Sequence, residues 1–239
     1  MNKDYLSKAT NPLQYDSDIL DWEKEGLKDS PTRLFFQEYL EKYLDVRGKT
    51  VLDIGSGMGQ LFPLLKQLGA SEIQGIEPSH HNAEISKKLY PDVPIYQGTL
   101  ANAPVSRLFD AVTTVMVFEH IEDISSAFKK IGTMLASHGV LYLIVGDKQY
   151  HITPRYGYKL KVVDIGNDAV VMETTRPLGV MYDILRPLNH YLETAQKNLF
   201  SLENHVELKP TEAFMNSEPK YRAFAGNPIC HLLIFKKNT

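Results

Sequence analysis

The feature that most constrains the fold is the segment Val51–Gln60, where an apolar run ends in an acid and three glycines follow at alternate positions. The apolar residues suit a buried strand, and the glycines allow backbone angles closed to other residues and a close approach of a ligand to the main chain. Apolar residues then recur at helical spacing up to Gly69, which is placed to end a helix. The segment therefore predicts a strand, a ligand-binding turn and a helix, in that order.

Three residues indicate which kind of nucleotide such a turn would hold. The dinucleotide-binding fingerprint has its third glycine three residues after the second, and Gln60 occupies that position here. Asp53 lies two residues before the first glycine, where a carboxylate repels a pyrophosphate and attracts an ammonium group. A second apolar run ends in Glu77, whose two oxygens can accept hydrogen bonds from both hydroxyls of a ribose. Together these residues favour a nucleoside that carries an amino acid.

These motifs closely resemble the S-adenosylmethionine (SAM) pocket of the class I methyltransferases. Asp53 and the three glycines match the family's acid-x-Gly-x-Gly-x-Gly motif, and Glu77 matches its ribose-binding acid. The resemblance implies a SAM-dependent methyltransferase, with SAM as the cofactor. The cofactor-binding residues that it implies are Asp53, Gly55, Ser56, Gly57, Gly59, Glu77, Pro78, Thr99, Leu100, Val115 and Met116.

The rest of the chain supports the same fold class. Apolar runs at 94–97, 109–118 and 140–145 predict further buried strands, and 231–235 predicts a terminal one. The resemblance implies an α/β fold with a Rossmann-like, seven-stranded, mostly parallel sheet, helices on both faces and an antiparallel last strand between the fifth and sixth. We expect a single methyltransferase domain over 1–239. Its parts would be an N-terminal helical cap at 1–47, a SAM-binding core at 48–146, an insertion at 147–187 and the end of the core at 188–239.

The insertion after the fifth strand predicts a β-hairpin. Gly166-Asn167-Asp168 separates the apolar runs 158–163 and 169–174, which is typical of a hairpin turn. In the resembling family an insertion here commonly forms a substrate lid, although a hairpin that mediates a homodimer would look similar. We expect a lid. The candidate acceptor contacts are Tyr15, Trp22, Glu119, Tyr150, Arg155 and Tyr156.

A second polar segment follows the fourth strand. Ligands of open α/β sheets bind beyond the carboxyl ends of the strands, so Glu119-His120 should face the same crevice as Asp53. The pair resembles the Glu-His form of the family's fourth motif, found in small-molecule and quinone-ring methyltransferases. His120 is the candidate catalytic base for a hydroxyl or ammonium acceptor, and the alternative is that it holds a loop or shapes the pocket. Met116 stands where related quinone-ring enzymes carry a further carboxylate, so we expect no metal.

Composition limits the partners. The 239 residues carry a net charge of −3, which gives no general attraction to nucleic acid or anionic membranes. The single cysteine excludes an internal disulfide, and no apolar run has the length of a signal peptide or a membrane span. We expect a cytoplasmic enzyme that acts on a small-molecule methyl acceptor, without nucleic acid or membrane, and with O-methylation preferred. N- or C-methylation, a non-catalytic SAM-fold binding protein and a dinucleotide-dependent oxidoreductase are the alternatives.

Overall fold

The computed structural model describes residues 3–16, 31–154, 157, 159–176 and 179–238. Strands within these residues form two sheets. They are β1 (Thr50–Ile54), β2 (Glu72–Glu77), β3 (Ile95–Gln97), β4 (Phe109–Val115), β5 (Leu135–Gly146), β6 (Lys159–Gly166), β7 (Ala169–Arg176), β8 (Gly179–Leu185), β9 (Phe200–Leu208) and β10 (Cys230–Lys237).

Helices connect these strands and precede them. The α-helices are α1 (Lys3–Ala9), α2 (Pro31–Tyr43), α3 (Phe62–Gln67), α4 (His80–Leu89), α5 (Ile124–Met134), α6 (Lys148–Ile152), α7 (Leu188–Lys197) and α8 (Glu212–Ser217). Short 3₁₀ helices lie at Pro12–Tyr15, Phe118–His120 and Pro219–Phe224. None of the helices in the described ranges has both the length and the apolar character that a membrane span needs.

The larger sheet has seven strands in the order β3-β2-β1-β4-β5-β10-β9. The first five pair in parallel, and β10 lies antiparallel between β5 and β9. Because side chains alternate along a strand, Leu232 and Leu233 of β10 enter separate core clusters on the two faces. One cluster includes residues of α5 and α7, and the other includes residues of α2 and α3. The predicted Rossmann-like sheet, with its antiparallel last strand, is confirmed.

Two strand boundaries differ from the prediction for local backbone reasons. The fourth strand ends at Val115 because Met116 adopts a positive φ of 56°, and a 3₁₀ helix follows. The fifth strand begins at Leu135, five residues before the predicted run 140–145. His138 takes a φ of 61°, and the register between β4 and β5 is irregular at Phe109–Ala111, so β5 bends there and continues.

The smaller sheet is the insertion, and it is antiparallel in the order β6-β7-β8. Asn167 and Asp168 both have φ of 55°, as the tight hairpin turn between β6 and β7 requires. The predicted hairpin is therefore confirmed, and β8 adds a third strand that the sequence analysis missed. The signal for β8 is weak because Asp183 interrupts its apolar run.

Candidate active site

The candidate active site lies where the parallel strands end. Asp53 is near the end of β1, Glu77 is the last residue of β2, and Gly146 is the last residue of β5. The turn after β1 is joined to β2, because the backbone N–H groups of Gly55 and Ser56 both donate to Ile76 O, at 2.7 and 3.1 Å. The sheet thus brings together polar groups from separate motifs along one edge.

The glycine turn needs glycine for steric reasons. Gly55, Gly57 and Gly59 have φ of 68°, 55° and 82°, a region that side chains disfavour. A Cβ on Gly55 would also clash with Val117 Cγ2, so no larger residue fits there. The turn therefore has no side chains at these three positions, so that a nucleoside could approach its backbone closely.

Glu77 is fixed by the turn and by the start of α4. Its Oε2 accepts a hydrogen bond from Gly57 N at 2.7 Å, and its Oε1 accepts one from Ser79 N at 2.8 Å. Burial raises the pKa of the carboxyl to about 6. Each oxygen keeps a second lone pair, so the carboxylate could still accept hydrogen bonds from two ribose hydroxyls.

Asp53 is a second buried carboxyl at this edge. Its Oδ1 accepts a hydrogen bond from Thr113 Oγ1 at 2.7 Å. Burial raises its pKa to about 7, and the nearby negative charge of Glu77 acts in the same direction. A cation close to these two carboxyls would stabilise their ionised forms, so the electrostatics suit a ligand with an ammonium or sulfonium group.

The other sequence-predicted cofactor residues lie on the same edge. Ser56 is buried in the turn, Pro78 follows Glu77, and Thr99 and Leu100 follow β3, with Leu100 in the core. Val115 ends β4, and Met116 comes next in its left-handed conformation. Such backbone strain is often found at functional sites. The residues predicted from separate motifs thus lie near the ends of neighbouring strands or just beyond them.

His120 lies in the 3₁₀ helix after β4 and contacts the N-terminal segment. Its Nε2 is 2.6 Å from the hydroxyl of Tyr15, and its Nδ1 is 3.3 Å from Ala9 O and 3.2 Å from Gln14 Nε2. With the proton on Nδ1, the ring donates to Ala9 O and Nε2 accepts from Tyr15. Asp183 of β8 places Oδ1 3.7 Å from Nε2. The structure thus brings together two predicted site residues, Tyr15 and His120.

The same N-terminal segment also reaches the start of α4, next to the end of β2. Asp16 Oδ1 accepts hydrogen bonds from Ser79 Oγ at 2.6 Å and from His81 N at 3.2 Å. Both donors lie at the start of α4, next to Glu77. Residues 12–16 therefore join the start of α4 to His120.

Of the other residues predicted to contact the acceptor, Glu119 and Tyr150 are buried. Glu119 is fully buried, and its Oε1 accepts a hydrogen bond from Gly146 N at 2.7 Å. Burial raises the pKa of Glu119 to about 7. Tyr150 packs against Tyr221 and Phe224 in the core. Three more of these residues, Trp22, Arg155 and Tyr156, lie outside the described residues. All five stay predictions as acceptor contacts.

A family model decides what kind of domain this is. A model described as a methyltransferase domain matches residues 24–157, which is more than half of the chain. The chain belongs to this methyltransferase family.

Relatives of this methyltransferase support the same assignment. A ubiquinone biosynthesis O-methyltransferase of Neisseria meningitidis serogroup C is 28% identical over 162 residues, which is 61% of this chain and 66% of the relative. The chain thus spans just under two thirds of that relative's length. A demethylmenaquinone methyltransferase of Thermotoga maritima is 26% identical over 194 residues, covering 78% and 80% of the two chains. A crystal structure of an S-adenosylmethionine-dependent methyltransferase from Mesorhizobium loti shares the fold, with a TM-score of 0.68, 17% identity, and coverage of 89% of this chain and 100% of that one.

Sequence reasoning missed several residues that border the site. Gln14, Asp16 and Asp183 contact His120 or the start of α4 from distant parts of the chain. No local spacing relates them to a motif. Only the docking of α1 and β8 brings them to the site.

Proposed function

We propose that this methyltransferase transfers a methyl group from SAM to a small-molecule acceptor, preferably to an oxygen. The observation that carries the proposal is the fixed Glu77 carboxylate, which accepts a hydrogen bond from Gly57 N of the glycine turn. It supports a ribose-binding role at the end of β2. The alternatives are transfer to nitrogen or carbon, and a non-catalytic SAM-binding protein.

The proposed cofactor site is built from four residues. Gly55 and Gly57 would pass close to the nucleoside, Glu77 would bind the ribose, and Asp53 would lie on the side of the ammonium group. When bound, SAM supplies a methyl group that its sulfonium already activates, so the protein need only align the acceptor, exclude water and manage the acceptor's proton. The raised pKa values of Asp53 and Glu77 favour this proposal because a cationic ligand would offset the cost of ionising two buried carboxyls.

The proposed proton acceptor is Nε2 of His120. In the structure this nitrogen faces a phenolic hydroxyl, that of Tyr15, at 2.6 Å. An acceptor hydroxyl that replaced Tyr15 would present its proton to the same nitrogen. In the alternative role, His120 only holds the N-terminal segment in place through hydrogen bonds to Tyr15 and Ala9.

The surroundings of the site support a cover made from two segments. The N-terminal part, 1–47, contributes α1, and the insertion, 147–187, contributes β8, against which α1 packs. We propose that both cover a SAM-binding core at 48–146, with 188–239 completing the sheet, and that the enzyme works in the cytoplasm without nucleic acid or membrane. The names of the Neisseria and Thermotoga relatives make phenolic quinone precursors the first acceptors to test.

The experiment is a turnover screen. The full chain is incubated with SAM and separate phenols, catechols, amines and activated ring carbons, and S-adenosylhomocysteine formation is measured by mass spectrometry. We expect the fastest turnover with a hydroxyl acceptor. His120→Gln should then lower kcat by about 100-fold or more, the usual contribution of a general base. The matched control is His138→Asn, because His138 is exposed and Asn tolerates its positive φ.

Three results of this screen would contradict parts of the proposal. Turnover only with amines or ring carbons would contradict the preference for oxygen. Full activity of His120→Gln would show that His120 is not the base. If no acceptor is methylated although S-adenosylhomocysteine binds, the non-catalytic alternative is favoured.

A further inference from the structure

Arg186 is a buried arginine that binds the segment around His120. It directly follows β8, and only 4% of the residue is exposed. Its Nη1 donates to Phe118 O at 2.8 Å, and its Nη2 donates to Glu122 O at 3.0 Å and to Ile121 O. The three carbonyls lie on both sides of His120 in the chain. A guanidinium suits this task because its donors are rigidly spread in one plane.

The segment around His120 is also hydrogen-bonded to the residue that precedes the insertion. Oε1 of Glu119 accepts the hydrogen bond from Gly146 N, and Gly146 is the last residue of β5. Residues 118–122 are therefore held at the residue before the insertion and at Arg186 near its end. Between these two points the insertion forms β6, β7 and β8.

The backbone around Arg186 leaves it little freedom. It lies between β8 and Pro187, which is the N-cap of α7, and the ring of a proline restricts the backbone of the residue before it. The side chain also interacts with the hydroxyl of Tyr191, which is buried on α7. The guanidinium is thus fixed relative to β8 and to α7, and the carbonyls that it binds are fixed with it.

We infer that Arg186 is a positioning residue, which sets the orientation of His120 by tying residues 118–122 to the end of the insertion. The inference rests on the proposed function only for the role of His120 in catalysis. Movement of β8 should change the surroundings of the His120 ring, because Arg186 follows β8 directly and Asp183 is part of it. A lysine at 186 carries all its donor hydrogens on a single nitrogen, which cannot occupy the positions of both Nη1 and Nη2 of Arg186.

The test is nuclear magnetic resonance of the His120 ring in the full chain. Wild type is compared with Arg186→Lys, and His120→Gln assigns the ring signals. The matched control is Arg107→Lys, because Arg107 pairs with Glu72 away from this segment. We expect Arg186→Lys to move the His120 ring signals and to change the balance between the two tautomers of the ring. Arg107→Lys should leave both unchanged.

A second measurement needs no variant and covers the case in which Arg186→Lys does not fold. Amide hydrogen exchange of wild type should show His120 and Ile121, whose N–H groups donate to Val117 O and Phe118 O, opening together with β8 across a urea series. A folded Arg186→Lys with unaltered His120 signals would overturn the inference. So would exchange at His120 and Ile121 that responds to urea independently of β8.

A failure of the positioning role of Arg186 can be distinguished from a failure of the proposed function. With an acceptor in hand, Arg186→Lys should lower kcat by about tenfold while the affinity for S-adenosylhomocysteine stays within about twofold. If His120→Gln keeps full activity, the base role fails but the ring signals still test Arg186. If the ring signals do not respond, the positioning role fails whatever the activity.

Discussion

Buried carboxyls dominate the site at the scale of single residues. Burial raises the pKa of Asp53 and Glu119 to about 7 and that of Glu77 to about 6. A carboxyl whose pKa is higher in the folded state stabilises the fold below its unfolded pKa, and that contribution is lost as the pH rises through the folded pKa. The protein without ligand should therefore lose stability between about pH 4 and pH 7.

Asp53→Asn tests this directly. The amide keeps an acceptor for Thr113 Oγ1 and removes the ionisation, so the variant should gain stability relative to wild type as the pH rises from 5 to 8. The relative gain should be on the order of 3 kcal/mol. Urea unfolding at several pH values measures it. Asp110→Asn is the control, because hydrogen bonds from Thr50 lower the pKa of Asp110, and its contribution changes only at lower pH. A difference between wild type and Asp53→Asn that stays constant from pH 5 to 8 would contradict the account.

The sequence predicts the residues of a contiguous motif better than residues that meet only through tertiary contacts. Asp53 and Glu77 could be assigned because they lie next to the end and at the end of apolar strands, and strand ends of a parallel sheet share one edge. Arg186 could not, because its partners lie 64 to 68 positions earlier in the chain. Its buried position follows from the packing of β8.

At the scale of elements, α1 depends on its contacts with the smaller sheet. A helix of seven residues is too short to be stable alone in water. Leu6 and Ala9 of α1 pack against Val171 and Ile184 of β7 and β8. This small cluster therefore holds the segment that carries Tyr15 to His120.

Leu6→Ala should release this segment and leave the main sheet intact. The lost burial should cost about 2–4 kcal/mol of local stability. Hydrogen exchange should show faster exchange at Thr10, whose N–H donates to Leu6 O, with unchanged protection in β4 and β5. Lys3→Ala is the control, because Lys3 is exposed on the same helix. An equal loss of protection throughout the main sheet would show that α1 is part of the global core instead.

The sequence predicts strands with a strong apolar pattern, and it does not predict strand segments that a polar residue interrupts. The runs that became β1, β4 and β10 are almost fully buried, so their sequences carry a clear signal. Asp183 interrupts β8, and His138 lies in the first part of β5, before the apolar run 140–145. In both places a polar residue belongs to a strand because tertiary pairing outweighs local preference.

At the scale of the whole molecule, the order of the strands places the site. The chain proceeds from β1 outward to β2 and β3, and then returns to the other side of β1 with β4 and β5. Ligands of such sheets bind where the order reverses, beyond the carboxyl ends of β1 and β4. Asp53 is near the end of β1, the glycine turn follows β1, and His120 follows β4. The N-terminal segment and the insertion then approach this crevice from outside the sheet.

The most direct test of the central claim, a site for SAM at the end of β1 and β2, is titration calorimetry of the full chain. S-adenosylhomocysteine and NAD are titrated separately into wild type, Glu77→Gln and the control Glu84→Gln, which alters an ion pair with Lys87 on α4. We predict one S-adenosylhomocysteine per chain, binding about tenfold or more weaker in Glu77→Gln and unchanged in Glu84→Gln. Binding of NAD without binding of S-adenosylhomocysteine would contradict the account.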